Sequence, residues 1–254
     1  MKKAPLALAA ATLILTACSS GGTTTESGVS LISEGKLTVC TNPPYAPFEY
    51  EENGKIVGLD ADIAAAIASD LGVEPEMYTT SFEGIQSGVA LSSKQCDLAL
   101  SGITITEERK SVMTFTSAYV DDNLAILVPA GSEIKSEADL SGRKIGVQQA
   151  TSGEKYAQEA GANTVQYEDN GLLLQAIQTG QVDAIVGNIT VLSEMLTSDS
   201  SLSVVQEIET GEQIAGAVAS DNSALLESAN ATLKKMEEDG RLAELREKYL
   251  GVSQ

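Results

Sequence analysis

The sequence contains no histidine and no tryptophan, and aromatic residues make up only 4% of its 254 residues. Without imidazole, catalysis by Ser-His-Asp or Cys-His groups, metal binding through histidine and pH switching through histidine are excluded. Basic residues are also scarce, since 16 Lys and Arg stand against 36 Asp and Glu, for a net charge of −20. A chain this acidic repels phosphates, so we expect it to bind no nucleic acid.

The N-terminal segment has the pattern of a secretory signal. A basic start at Lys2-Lys3 precedes a short apolar run over 4–17, which is too short for a stable membrane-spanning helix. The run ends in Leu15-Thr16-Ala17-Cys18, which resembles the lipobox of bacterial lipoproteins. We therefore predict a signal peptide over 1–17 and a lipid on Cys18, with an ordinary cleaved signal as the alternative. A flexible tether rich in Ser, Thr and Gly would follow over 18–30.

The cysteine count agrees with a position outside the cell, anchored to the outer face of the membrane. Lipidation of Cys18 would leave Cys40 and Cys96, both at the ends of predicted strands. The extracytoplasmic compartment permits disulfides, so we predict that these two cysteines pair. Two buried free thiols are the alternative.

Strand-like and helix-like segments alternate through the rest of the chain. Over 60–71, for example, Ile63, Ile67 and Leu71 share one helical face and Gly72 ends the helix. The predicted strands are 37–40, 97–100, 123–128, 144–149, 182–186, 202–208 and 214–219. The predicted helices are 60–71, 82–91, a helix from Gly153, 170–179, 223–238 and 242–250. This alternation predicts the α/β class, with parallel sheets covered by helices.

Arg109 stands out among the four arginines of the chain. It follows Ser101-Gly102-Ile103-Thr104, which leaves the carboxyl end of a predicted strand. Small residues expose backbone N–H groups, hydroxyls add donors, and the guanidinium adds a two-pronged charged donor, which together suit a carboxylate ligand. The alternative is a surface arginine paired with Glu107 or Glu108.

Other candidate contacts also follow predicted strands. Thr151 and Ser152 lie in a turn between a strand and a helix start, where free N–H groups favour negative charge. Tyr45 and Phe82 could cover a small ligand by stacking, or could equally serve as core packing. The acidic pairs Glu51-Glu52, Glu107-Glu108 and Asp121-Asp122 lack metal-loop spacing and are interpreted as solvated.

Four stretches together resemble the bacterial family 3 extracellular solute-binding proteins, the polar amino-acid receptors of ABC importers. They are Tyr45-Ala46-Pro47-Phe48-Glu49-Tyr50, Gly58-Leu59-Asp60-Ala61-Asp62-Ile63, the segment from Ser101 to Arg109, and Gly146-Val147-Gln148-Gln149-Ala150-Thr151-Ser152. The resemblance extends from about Leu37 to Gly251. It implies a two-lobe, periplasmic-binding-protein-like (type II) fold, with a mostly parallel sheet in each lobe and closure by hinge motion. Lobe 1 would hold 31–122 and 219–254, lobe 2 would hold 129–213, and the hinge strands would be 123–128 and 214–218.

The resemblance also implies a ligand-binding set. Arg109 would fork onto the ligand α-carboxylate, with the N–H groups of Thr104 and Ser152 donating to the same group. Ser101 and Gly102 would face the α-amino group, and two aromatic residues would cover the ligand side chain. The complete set is Asn42, Tyr45, Phe82, Ser101, Gly102, Thr104, Arg109, Thr151, Ser152 and Asn188.

Two positions depart from the family pattern. Asn188 stands where many members place an Asp for the α-ammonium, so a charge-assisted bond becomes weaker and a substituted amine has room. Asn42 stands where receptors for basic amino acids often carry an acid, which argues against Lys or Arg as ligand. No second arginine is near the expected pocket, which weakens Glu and Asp, so a neutral polar or modified amino acid is favoured.

The leading hypothesis is a monomeric, lipid-anchored receptor that binds its ligand without turnover and delivers it to an ABC permease. It would need no cofactor and no metal. One alternative is a secreted cyclohexadienyl or arogenate dehydratase-like enzyme, for which Glu49 and Glu83 are the acid candidates. The other alternative is a sensor or adhesin that keeps the fold without transport.

Overall fold

The computed structural model describes residues 23–25 and 28–251. The predicted signal peptide and the lipidation of Cys18 lie outside the described residues. In the predicted tether, Thr23–Thr24 pairs antiparallel with Ser30–Leu31. Val29 and Leu31 are buried there, so apolar contacts hold the end of this segment against lobe 1.

The elements follow one another in the alternation that defines an α/β chain. In chain order they are β1 Thr23–Thr24, β2 Ser30–Leu31, β3 Lys36–Thr41, β4 Tyr50–Glu52, β5 Lys55–Val57, α1 Leu59–Leu71, β6 Glu74–Thr79, α2 Phe82–Gln86, α3 Val89–Ser92, β7 Leu98–Ala99, α4 Glu107–Lys110, β8 Thr114–Phe115, β9 Val120–Pro129, β10 Lys144–Gln148, α5 Ser152–Glu159, β11 Asn163–Tyr167, α6 Asn170–Gln178, β12 Ala184–Asn188, α7 Ile189–Ser198, β13 Leu202–Ile214, β14 Ala217–Val218, α8 Ser223–Glu238 and α9 Arg241–Leu250. A short 3-10 turn, Glu137–Asp139, precedes β10.

Two five-stranded sheets form the two lobes. The first has the order β6-β3-β7-β14-β8 and the second has the order β11-β10-β12-β9-β13. The predicted α/β two-lobe class is confirmed. Each sheet is mixed, however, because three strands run parallel and the two strands at the other side pair antiparallel.

The two lobes are joined by the antiparallel pair β9 and β13. Their register runs from Leu202 opposite Pro129 to Ile214 opposite Val120, with Glu212 opposite Asp122 near the lobe 1 end. The lobe 1 segment that carries Arg109 is attached to the same end, since the Ile105 N–H donates to the Gln213 carbonyl. The crossing strands are therefore in direct contact with the candidate site.

Some elements differ from the sequence prediction for local reasons. The predicted helix 82–91 is two short helices, because Gly88 adopts φ +74 between them. The edge strand β6 was missed because its sequence, Glu-Pro-Glu-Met-Tyr-Thr, is mostly exposed and contains Pro75. Backbone pairing with β3 forms it despite that composition.

No helix in the described part of the chain, α8 and α9 included, is long and apolar enough to span a bilayer.

Cys40 and Cys96 form the predicted disulfide. Cys40 lies on β3, Cys96 lies just before β7, and their Cα atoms are 5.6 Å apart. Both are buried in a cluster with Phe82, Ile85 and Met113. The bond thus fixes the strands behind the short helix that carries Phe82.

Candidate functional site

Arg109 is buried between the lobes and is not a solvated surface residue. Arg109 belongs to the one-turn helix α4, and its backbone N–H donates to the Thr106 hydroxyl at 3.2 Å. The residue is only 4% exposed. Glu107 pairs with Lys110 instead, at 2.7 Å. The interpretation of Arg109 as a surface ion-pair partner is therefore wrong.

The Arg109 guanidinium joins one loop from each lobe. Its Nη1 donates to the Thr104 carbonyl at 2.8 Å and its Nη2 donates to the Ala150 carbonyl at 3.0 Å. Its Cζ lies 5.2 Å from the centre of the Phe82 ring, which is cation–π contact. Burial lowers the pKa of Arg109, while Tyr45 and Glu212 act in the opposite direction. A buried arginine keeps its charge, so a fixed cation faces the cleft.

Tyr45 lies against the Gly102 backbone. A Cβ on Gly102 would approach the Tyr45 ring to 2.5 Å, and the φ of Gly102 is +53, so glycine is required here. Tyr45 also stacks on Phe48, with ring centres 5.9 Å apart. Its hydroxyl donates to the Asn188 Oδ1 of the other lobe at 3.1 Å. Burial raises the pKa of Tyr45 well above its usual value, and Asp122 adds to the effect, so the phenol stays neutral.

A chain of side-chain amides forms another contact between the lobes. Gln148 Nε2 donates to Asn42 Oδ1 at 3.0 Å, and Asn42 Nδ2 donates to the Thr80 carbonyl at 2.9 Å. Asn170 Nδ2 donates to Gln148 Oε1 at 3.3 Å. This end of the cleft is therefore lined by neutral donors and acceptors.

Asn188 contacts a residue that the sequence analysis missed. Its Nδ2 donates to Glu212 Oε2 at 3.2 Å. The Thr104 hydroxyl and the Ser152 hydroxyl donate to the same oxygen, at 3.1 and 2.9 Å. Glu212 sits on β13 in the polar run Glu209-Thr210-Gly211-Glu212-Gln213, whose other members are exposed, so from sequence it is typical of a solvated segment.

The Thr151–Ser152 turn starts a helix, as its pattern predicts. The Thr151 hydroxyl accepts the Glu154 N–H at 3.2 Å and donates to the Gln148 carbonyl at 2.8 Å. Ser152 is the first residue of α5, so its N–H belongs to the free donors at a helix N-terminus. The Thr151 side chain therefore holds the turn.

Two buried carboxylates lie behind the Ser101–Gly102 turn. Ser101 donates to Glu49 Oε1 at 2.5 Å, and the Gly102 N–H donates to Asp60 Oδ2 at 2.7 Å. Burial raises the pKa of Asp60 to about 6. Burial also raises the pKa of Glu49, and the negative charge of the neighbouring Asp60 adds to this effect. Ser101 also accepts the Asn42 N–H at 3.1 Å. The Ser101 hydroxyl thus holds the loops, which leaves its carbonyl for a ligand.

The acid candidates for an enzymatic reaction are both engaged elsewhere. Glu49 is fully buried under Ser101. Glu83 is exposed and accepts from Gln149 Nε2 at 2.9 Å.

The lobes are in contact across the cleft. A cavity of about 10 Å³ remains among Tyr45, Gln148 and Asn188, enough for about one water molecule. An open groove of about 580 Å³ reaches Arg109 and Glu212 from outside. A ligand of amino-acid size enclosed among Tyr45, Gln148 and Asn188 would therefore require the lobes to separate and close again.

Two α/β lobes, two crossing strands and a buried arginine shared between facing loops define a two-lobe binding protein of the type II periplasmic class. The family model for bacterial extracellular solute-binding proteins, family 3, matches residues 37–252. The chain belongs to this family.

Relatives of known name agree with this assignment. The arginine-binding extracellular protein ArtP of Bacillus subtilis (strain 168) is 36% identical, over 98% of each chain. The L-cystine-binding protein TcyJ of Escherichia coli (strain K12) is 30% identical, over 86% of this chain and 84% of its own. Among solved structures, an ancestral arginine-binding protein bound to arginine is 37% identical, with a TM-score of 0.80, over 85% of this chain and 98% of its own.

Proposed function

We propose that this protein is a lipid-anchored extracytoplasmic receptor that binds an amino acid between its lobes and delivers it to an ABC importer. The single observation that supports this most is Arg109. A guanidinium that is buried, charged and bonded to a loop from each lobe offers its remaining N–H donors to a carboxylate at the lobe interface. A ligand carboxylate bound there would draw the lobes together.

The free N–H at the start of α5 supports the same role. Ser152 places a helix N-terminus next to the loop that contacts Arg109. The helix dipole and the free donors favour an anion, and they add to the charge of Arg109. Together they form a binding site for one carboxylate, as an α-amino acid provides.

We further propose that the ligand side chain is neutral and polar. The amides of Asn42, Gln148 and Asn170 form a continuous chain across the lobes. Such amides offer both donors and acceptors but no charge, which suits an amide or a hydroxyl. The relatives named for arginine and cystine make those two amino acids the necessary comparisons.

The test is a binding survey of the purified protein against all twenty amino acids and L-cystine. The melting temperature would be recorded first, and each positive confirmed by calorimetry. A ligand at 100 times its dissociation constant adds about 2.7 kcal/mol of stability. We expect a shift with neutral polar amino acids such as L-glutamine. A shift with L-arginine alone would refute the side-chain proposal, and no shift with any amino acid would refute the receptor proposal.

The lipid anchor needs its own experiment, because Cys18 lies outside the described residues. We expect Cys18→Ser to release the protein from the membrane fraction into the medium or periplasm. Retention of the variant in membranes at the level of the unchanged protein would contradict the anchor.

A further inference from the structure

Two carboxylates face each other where the chain crosses between the lobes. Asp122 on β9 and Glu212 on β13 are directly opposite in the antiparallel register. Like charges in opposed positions of a strand pair repel and destabilise the pair. Within the described chain, neither carboxylate forms a salt bridge with a lysine or arginine. Arg109 interacts with Glu212 electrostatically, but no described cation lies within ion-pair distance of either carboxylate.

The described residues leave one oxygen of Asp122 without a hydrogen-bond partner. The residue is 5% exposed, and Oδ1 accepts from the Asn123 N–H at 2.9 Å and from the Thr190 hydroxyl at 3.0 Å. Its Oδ2 is buried and, among the described residues, has no hydrogen-bond partner. Asp122 and Glu212 line a shared cavity of about 610 Å³ with Thr190 and Pro47. The sequence interpretation of Asp121-Asp122 as a solvated pair is therefore wrong for Asp122, because the β9–β13 pairing buries it.

Glu212 is held in place by both lobes. Thr104 from lobe 1, and Ser152 and Asn188 from lobe 2, all donate to its Oε2. A carboxylate offers about four acceptor positions, and these three donors use one oxygen only. The charge is thus fixed in position while acceptor capacity remains for a bound cation.

The same two loops hold Arg109 and Glu212. Thr104 accepts from Arg109 through its carbonyl and donates to Glu212 through its hydroxyl. On the other lobe, Ala150 accepts from Arg109 and Ser152, two residues on, donates to Glu212. The guanidinium and the carboxylate are therefore held by the same residue of one lobe and by residues two positions apart on the other. A fixed cation and a fixed anion at one site suit the opposite charges of a zwitterionic α-amino acid.

The cation that fits is an ammonium group. Over the described residues, no cluster of three or more Asp, Glu, His or Cys is arranged to hold a metal ion. An ammonium group is bound by hydrogen-bond acceptors, most strongly by a carboxylate, and Glu212 provides a carboxylate on the same two loops as Arg109.

We propose, on the basis of the proposed receptor function, that the ligand α-ammonium is bound by Glu212 with Asp122 opposite, and that Asn188 is a positioning residue for Glu212. Asn188 accepts from Tyr45 and donates to Glu212, and an ionised Asp could not donate. An ionised Asp at 188 would instead repel the Glu212 carboxylate. A neutral residue at 188 is thus compatible with Glu212 as the source of the negative charge. We therefore expect the ligand to carry an ordinary primary ammonium, whereas the sequence alone left room for a substituted amine.

The test measures dissociation constants for two ligand pairs that differ only in the α-ammonium. They are L-glutamine with glutaramic acid, and L-arginine with 5-guanidinopentanoic acid. For the pair whose amino acid binds, Glu212→Gln should weaken the amino acid by about 30-fold or more, while the affinity for the deaminated analogue should change by less than about 3-fold. Asn188→Asp should give no gain in affinity. Glu209→Gln, at an exposed position of the same strand, should leave both affinities unchanged.

The outcomes separate this proposal from the receptor proposal. Equal losses for amino acid and analogue, or an unchanged amino-acid affinity in Glu212→Gln, would overturn the role of Glu212 alone. Absence of binding by the unchanged protein to all twenty amino acids and L-cystine would overturn both proposals. If Glu212→Gln fails to fold, Asp122→Asn is the substitute, with an expected loss of about 5-fold for the amino acid only. An unchanged ratio between amino acid and analogue in that variant would contradict the proposal.

Discussion

Asp122 gives a prediction in which stability and binding change in opposite directions. Burial raises the pKa of Asp122 from 3.8 to about 6, and Glu212 adds to the effect. At a pH between these two pKa values, the carboxyl binds more protons in the folded protein than in the unfolded chain. Stability should therefore fall as the pH rises through about 4 to 6, and the full cost should be present above the folded pKa.

The magnitude follows from the separation of the two pKa values. At 1.36 kcal/mol for each pH unit, the ionised Asp122 costs about 3 kcal/mol at pH 8. Asp122→Asn removes this charge but leaves an NH2 group at the buried position of Oδ2, which costs about 1 kcal/mol. The net expectation is about 2 kcal/mol of added stability at pH 8 without ligand, and a loss of this gain near pH 4.

Urea unfolding at pH 8 and at pH 4 checks this prediction, with Asp221→Asn at an exposed position as the matched control. We expect the Asp122→Asn gain at pH 8 only, together with weaker amino-acid binding. A variant less stable than the unchanged protein at pH 8, or a gain that is the same at both pH values, would refute the reasoning.

Three further outcomes follow from the same structure. Gly102→Ala places a Cβ 2.5 Å from the Tyr45 ring at a positive φ, so we expect a loss of about 2 kcal/mol or more in urea unfolding; a variant of unchanged stability would show that Tyr45 moves freely. The double variant with Cys40→Ser and Cys96→Ser removes a disulfide that closes a loop of 56 residues, so we expect the free energy of unfolding in urea to fall by about 4 kcal/mol. A fall below about 1 kcal/mol would contradict the structural role of the disulfide. Tyr45→Phe removes the bond to Asn188 and should weaken binding by about 5-fold in calorimetry, and unchanged affinity would show that the bond is not needed in the bound state.

The sequence was sufficient for the parts whose physics is local. Helix α1 was predicted from the apolar face of Ile63, Ile67 and Leu71. The strand that leads to Arg109 was predicted over 97–100, and the structure has it at Leu98–Ala99. Arg109 could be singled out because it follows a strand end whose small residues and hydroxyls suit a carboxylate, while a surface ion pair with Glu107 or Glu108 stayed open as the alternative. These features depend on neighbours in the chain, so a one-dimensional pattern contains them.

The hinge carboxylates could not be predicted in this way. Asp122 and Glu212 are 90 residues apart, and only the register of β9 and β13 brings them together. Along the chain, each lies among acidic and polar residues that resemble a solvated surface. The division between α2 and α3 was missed for a different reason, since it depends on the positive φ of Gly88.

The central claim is that Arg109 binds a ligand carboxylate between the lobes, and one calorimetric comparison tests it most directly. The amino acid that gives the largest melting shift would be titrated alongside its α-carboxamide, in the unchanged protein and in Arg109→Met. We predict that the unchanged protein binds the amino acid about 100-fold or more tightly than the carboxamide, and that Arg109→Met removes most of this difference. Equal binding of amino acid and carboxamide by the unchanged protein would contradict the account.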